Sequence, residues 1–200
     1  MLPGAPPDDQ ELGARIRALR EERGMSLRAL AGALGISPSA LSQMERGKMR
    51  PSVTRLFQIV SILEVPLAAA FGEDAPEALA EEAAAEVKPD DVVVARAGEG
   101  PALSLGHGVR YRRLTPVPIP GVEIFESTYP PGSSSSQDSE YLRHSGHEMG
   151  SVLTGRLTLD IGFEQYELGP GDSIRFPSTT PHRIRNAGED PAVAIWVNLP

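Results

Sequence analysis

The chain has 200 residues with a formal net charge of −8, and 40% of them are hydrophobic against 23% charged. That size allows one large or two small domains, each with its own core, and the composition is that of a globular protein. No apolar run is long enough for a membrane span, and the start Met1-Leu2-Pro3-Gly4-Ala5-Pro6-Pro7 lacks the basic and apolar regions of a signal peptide. The absence of cysteine excludes disulfides and thiolate chemistry. A cytoplasmic protein without membrane contact is the expectation.

Charge divides unevenly along the chain. Residues 1–72 carry nine Lys+Arg and seven Asp+Glu, a balance of +2, whereas residues 73–200 carry ten and twenty, a balance of −10. Phosphate binding needs a local basic face rather than a basic chain, so only the first part suits nucleic acid. The acidic part is expected to lie away from a duplex.

From Asp9 to Phe71 the apolar spacing is helical. Leu12, Ile16 and Leu19 form one stripe, and Gly24 ends that helix. Ser26 is placed to cap a second helix that buries Leu27, Leu30, Ala31 and Leu34. The turn Gly35-Ile36-Ser37 leads to a third, with Ser37 as cap, Pro38 at its first position and Gly47 as its stop. Ser52 starts a fourth helix carrying Leu56, Ile59, Val60 and Leu63, and a short fifth is predicted over Leu67–Phe71. This gives a helical unit over residues 9–72. An acidic, alanine-rich linker over residues 73–90 should follow, closed by Lys88-Pro89-Asp90-Asp91.

After Asp91 the hydrophobic period changes to two. Residues 91–96, 121–126, 150–154 and 156–161 read as strands, punctuated by Gly155, Gly162, Gly169-Pro170-Gly171 and Gly188. Short strands with glycine and proline turns predict an all-β sandwich or barrel over residues 91–200. Ser133-Ser134-Ser135-Ser136, after Pro130-Pro131-Gly132, reads as a mobile solvated loop.

Two helices joined by a tight turn can place the second one in a major groove. With Leu41 and Met44 facing the core, Ser37, Pro38, Ser39, Ser42 and Gln43 are left on the open face, and Gln43 can pair with the N6 and N7 positions of adenine. Arg28, Arg46, Lys48 and Arg50 are positioned for phosphates. The stretch Leu41-Ser42-Gln43-Met44-Glu45-Arg46-Gly47-Lys48, followed by Pro51-Ser52, resembles the Xre/Cro-like repressor family. That resemblance implies a five-helix, lambda-repressor-like DNA-binding domain with Gln43 as a base reader. It departs from the family at Ala29, where an acidic residue often completes a capping box.

In the second part, His144-X3-Glu148-X6-Gly155 is followed by Gly171-X5-Pro177-X4-His182-X3-Asn186. On a straight strand His144 and Glu148 would share a face about 13 Å apart, too far for one metal, so a bend at Ser145-Gly146 is required. These motifs resemble the cupins, and the resemblance implies a double-stranded β-helix or jelly-roll barrel whose metal ligands would here be His144, Glu148 and His182. The family's first histidine position is Leu142, and Thr179 stands where a glycine is usual. Two histidines and one carboxylate still make a facial triad for a divalent transition metal. His147, next to Glu148, points to the opposite face of a regular strand. The alternative is a metal-free pocket in which the same residues hold an organic effector. Arg110, Arg112 and Arg113 around Tyr111 read as a charged strand edge, and Tyr166 and Trp196 as packing residues.

Together the two parts predict a sequence-specific DNA-binding transcriptional regulator, expected to bind double-stranded, palindromic operator DNA as a homodimer. Its operator binding would be modulated by a small-molecule effector in the cupin pocket. A metal-dependent cupin enzyme with a fused DNA-binding domain is the rival reading.

Overall fold

Three serines start three of the four α-helices. In the computed structural model, which describes residues 9–71, 92–96, 100–117, 119, 121–136 and 140–199, the helices are α1 (Asp9–Glu22), α2 (Leu27–Ala33), α3 (Pro38–Glu45) and α4 (Val53–Ile62). The hydroxyls of Ser26, Ser37 and Ser52 accept the backbone N–H of Ala29, Ala40 and Arg55, each at 3.1 Å. Each such cap contributes about 1 kcal/mol, and the Ser26 cap forms although Ala29 cannot complete a capping box. Gly35, at φ 66°, turns the chain between α2 and α3 in a conformation that costs glycine little.

The helices pack closely. A Cβ on Gly13 would stand 2.4 Å from the Met44 carbonyl oxygen, so α1 crosses the end of α3 backbone to backbone. Arg20 of α1 reaches Glu45 of α3 with two hydrogen bonds of 2.6 and 3.0 Å and donates a third to the Met25 carbonyl. The predicted fifth helix is a single 3-10 segment, Leu67–Phe71. It follows Pro66, whose carbonyl accepts from Ala69 N–H, and five residues are too few to nucleate an α-helix without neighbours. Among the described residues the helical domain therefore has four α-helices and one 3-10 segment, not five α-helices.

The strands are β1 (Ala102–Ser104), β2 (Arg110–Arg113), β3 (Glu123–Tyr129), β4 (His147–Thr154), β5 (Leu157–Ile161), β6 (Glu164–Leu168), β7 (Ser173–Pro177), β8 (His182–Arg185) and β9 (Ala192–Leu199). They form two antiparallel sheets, in the orders β1-β2-β3-β9-β4-β7 and β6-β5-β8. No ladder among the described residues joins the sheets into a closed barrel; isolated bridges such as Leu142↔His182 and Ser134↔Arg185 extend the edge near β8. Of the strand expected over residues 91–96, residues 92–96 are described and join no ladder among the described residues, and Val92 is 89% exposed. Their valines favour extended backbone, but propensity without a neighbouring strand makes no sheet. The acidic stretch 73–90, read as a linker, lies outside the described residues.

The helical and β parts meet along a packed seam. Thr54 N–H donates to Ser135 O at 2.9 Å, Gly106 N–H to Pro51 O at 2.8 Å and Ala68 N–H to Glu123 Oε1 at 2.9 Å. Arg55, which also donates to Leu34 O, pairs with Glu140 at 2.6 Å, and Phe71 stacks on Phe125 at 5.5 Å. The serine run belongs to this seam: Ser133, Ser135 and Ser136 are buried, and Ser135 exchanges hydrogen bonds with Ile184 on β8. A solvated loop is not what forms there, because the polar backbone finds partners on both sides.

Candidate functional site

β4 begins at His147, and the two residues before it supply the bend that the sequence requires. Gly146 has φ 85°, and Ser178 N–H donates to its carbonyl while His144 N–H donates to Ser178 O. This turn swings His144 back over the strand, so that its Nε2 lies 2.6 Å from Glu148 Oε1. His182, the first residue of β8, brings its own Nε2 within 3.5 Å of the same oxygen. Three residues separated along the chain thus meet, their ligand atoms all within 4.8 Å of one another. Among the described residues this is the only such group, and His107 and His147 stand apart from it.

Backbone carbonyls set the tautomers. His144 Nδ1 lies 2.9 Å from Ser145 O and His182 Nδ1 lies 2.9 Å from Thr180 O. A carbonyl only accepts, so each Nδ1 carries the proton and each Nε2 is aimed at Glu148. Burial works against the Glu148 charge, yet the two imidazoles hold its carboxyl down at about 2. Burial likewise opposes the His144 cation, but the hydrogen bond to Glu148 and the carboxylate charge raise its pKa. In this arrangement the cationic form of His144 and the carboxylate of Glu148 stabilise one another. His182 Nε2, buried without a hydrogen-bond partner, is the exposed need of the site.

These donors fit a divalent transition metal: two oriented imidazole nitrogens and an ionised carboxylate, each histidine fixed through its other nitrogen by a carbonyl. A bound ion would replace the short His144–Glu148 hydrogen bond and satisfy His182 Nε2.

The pocket around the cluster is lined by apolar groups of both sheets, including Tyr111, Phe125, Leu142, Ile184 and Trp196. Leu142, at the family's first histidine position, contributes a hydrocarbon wall. Trp196 lies against Gly150, where a Cβ would stand 2.3 Å from its ring, and donates to Ser127 Oγ at 3.0 Å. Its place in the pocket is more than the packing role read from the sequence. Tyr111 is buried with its hydroxyl 3.3 Å from that of Tyr129; β2, which carries it, lies between β1 and β3 and is not the strand edge expected, with Arg113 buried and Arg112 paired to Glu126. Val53 and Phe57 of α4 complete the lining, the Phe57 ring 5.1 Å from His144. Sequence reading missed both. Their signal was present, because Val53 and Phe57 are apolar positions of α4 beside its main stripe of Leu56, Ile59 and Val60.

On the helical domain, α3 turns Leu41 and Met44 inward and leaves Ser37, Pro38, Ser39 and Gln43 exposed, with Ser42 half-buried. Arg46, Lys48 and Arg50 are exposed just beyond the helix, and Arg28 is exposed on α2. No helix among the described residues is long and apolar enough to cross a membrane.

Comparison with known proteins agrees with this division. A helix-turn-helix family profile matches residues 16–69, and a cupin-domain profile matches residues 125–198. The HTH-type transcriptional regulator PuuR of Escherichia coli (strain K12) is 29% identical over 174 residues, 87% of this chain and 86% of the relative. SutR, also an HTH-type transcriptional regulator of that organism, is 27% identical over 178 residues, covering 89% and 88%. A crystal structure of an HTH_3 family transcriptional regulator from Vibrio cholerae superposes with a TM-score of 0.66 at 29% identity, covering 96% of this chain and 97% of that one. The chain therefore joins a helix-turn-helix domain to a C-terminal cupin domain, and along most of its length it is similar to HTH-type transcriptional regulators.

Proposed function

We propose that the protein binds a palindromic operator in the cytoplasm as a homodimer, and that a small molecule in the cupin pocket, together with a divalent transition metal, alters that binding. Gln43 reads bases from α3, Ser37, Pro38, Ser39 and Ser42 flank it, and Arg28, Arg46, Lys48 and Arg50 hold phosphates. His144, Glu148 and His182 hold the metal. When bound, the ion supplies a Lewis-acid centre with open positions for an oxygen of the effector. The observation that carries the reading is His182 Nε2, a buried nitrogen that makes no hydrogen bond and lies 3.5 Å from the Glu148 carboxylate, in a pocket on the same chain as the exposed helix α3.

The same facial arrangement favours a second reading, a metal-dependent enzyme with a fused DNA-binding domain. The relatives that span most of the chain are transcriptional regulators, and on that ground we place the protein among regulators rather than enzymes.

Mass spectrometry of metal and small molecules released from natively purified protein tests the reading, followed by footprinting with the released material. Wild-type protein is expected to change its operator occupancy and His182→Ala to keep the basal footprint without responding. Chelation should reproduce the His182→Ala behaviour. A full response in both His182→Ala and Glu148→Ala would place sensing elsewhere.

A further inference from the structure

The pocket between the sheets is already filled from within the chain. Val53 and Phe57, which close it, belong to α4 of the DNA-binding domain. The remaining space, about 10 Å³, holds one water and no organic molecule. An occupant of several heavy atoms must therefore take the place of Phe57.

Phe57 cannot leave alone. Val53, Thr54, Leu56, Phe57, Ile59 and Val60 are all buried, so the helix is enclosed by its own domain on one side and the β-domain on the other. Close-packed side chains on a rigid helix do not swing aside singly. Among the described residues the ties across the seam include the Thr54–Ser135 and Gly106–Pro51 hydrogen bonds, the Glu123 contact to the 3-10 segment, the Arg55–Glu140 pair and the Phe71–Phe125 stack. The weaker boundary is between domains, and that is where the structure would open.

We propose that α4 is the pocket's resident occupant, so that docking of the DNA-binding domain on the β-domain and entry of an organic molecule exclude one another. This rests on the reading of the pocket as an effector site and supplies its regulation. The message needs no relay, because the group displaced is part of the domain that holds DNA. Coupling of this kind is reciprocal: whatever holds α4 docked weakens the occupant by the factor with which the occupant weakens docking. The displaced group also indicates the chemistry admitted. A flat apolar end replaces the phenyl ring beside His144, Leu142 and Trp196, and a polar end donates to Asn198 Oδ1, which is buried in the pocket wall without a partner.

Trp196 is the single tryptophan of the chain and is 3% exposed, so acrylamide quenching of its fluorescence measures entry of a small organic molecule into the full-length protein. Two substitutions on the β-domain loosen the seam without altering the pocket lining. Glu140→Arg sets a second guanidinium against Arg55. Gly106→Leu adds a side chain where a Cβ alone would stand 3.3 Å from Ser52 Cα. Wild-type protein should be quenched weakly and both variants several-fold more strongly. The amides at positions 54 and 106 should exchange faster while those of Ile59 and Val60 stay slow. Phe57→Ala, which keeps the seam hydrogen bonds, should bind benzyl alcohol in calorimetry where wild-type protein binds many-fold more weakly. Strong quenching of wild-type protein overturns the proposal. So does unchanged quenching in variants whose seam amides exchange freely, or a Phe57→Ala pocket that takes no benzyl alcohol. If these results come out as expected while operator binding ignores pocket occupancy, the lid stands and the effector reading falls.

Discussion

Glu148 keeps its charge in a place where burial alone would neutralise it, and Glu123 shows the opposite balance at the seam. The Glu148 carboxyl is held at about 2 by two imidazoles, below its ordinary 4.5, so its contribution to stability is present above 4.5 and lost as pH falls toward 2. Glu123 accepts hydrogen bonds from the backbone at Ala68 and Leu67, but burial outweighs them and its pKa is raised. Its contribution is therefore complete below 4.5 and lost as pH rises through the folded value. Thermal midpoints measured across this range should fall with rising pH in wild-type protein more than in Glu123→Gln, whose amide oxygen still accepts at Ala68. Parallel curves would show that Glu123 is not the group responsible. The cluster was legible through the resemblance of its two motifs to the cupins, and the bend at Ser145-Gly146 through strand spacing, which keeps His144 and Glu148 apart on a straight strand. Phe57 and Trp196 were not, since their place in the pocket depends on which elements face one another across the molecule.

Among the elements, α3 and α4 are short helices with opposite surroundings. α3 has one buried stripe and one open face, the pattern that its sequence predicts. Gln43→Ala should weaken specific binding by about 1–3 kcal/mol and leave non-specific binding nearly unchanged, because it removes base contacts alone. Lys48→Ala should weaken both and reduce the salt slope by about one unit. Salt titrations on operator and unrelated DNA separate the two, and an equal loss on all sequences for Gln43→Ala would end its assignment as a base reader. The crossing of α1 on α3 gives another measurable effect. Alanine at position 13 gains about 1 kcal/mol of helix propensity, but its Cβ meets backbone at 2.4 Å, which cannot yield as a side chain would. Overpacking of this kind costs about 1–3 kcal/mol, so Gly13→Ala should lower the denaturant midpoint; a raised midpoint would mean that the two helices separate readily. Caps and glycine turns around these helices were readable because they depend on a few neighbouring residues. The second apolar face of α4 was written in Val53 and Phe57 but concealed by the stronger stripe of Leu56, Ile59 and Val60.

At the scale of the whole molecule, the change of composition near Glu73 marks two domains, yet the buried residues form one continuous cluster from Leu12 to Trp196. The seam joins them through α4 and the 3-10 segment. A fragment of residues 1–75 would keep Ile16, Leu30, Leu41, Leu56 and Ile59, each 1% exposed or less, and so retains a core of its own. It would also bare Val53, Phe57 and Phe71, which the β-domain covers. Exposing such side chains costs about 1.5–3 kcal/mol apiece when they were fully buried, and contiguous apolar surface favours association. The fragment is therefore expected to be helical by circular dichroism, to melt below the full chain and to self-associate in sedimentation. Its operator affinity should fall below that of the full chain, whose proposed homodimer would set two recognition helices about 34 Å apart. Adding Val53→Ser and Phe57→Ser to the fragment should restore a monomer without loss of helix. A fragment that is monomeric and melts with the full chain would show that the seam contributes nothing to stability. An unfolded one would show that neither domain's core is its own.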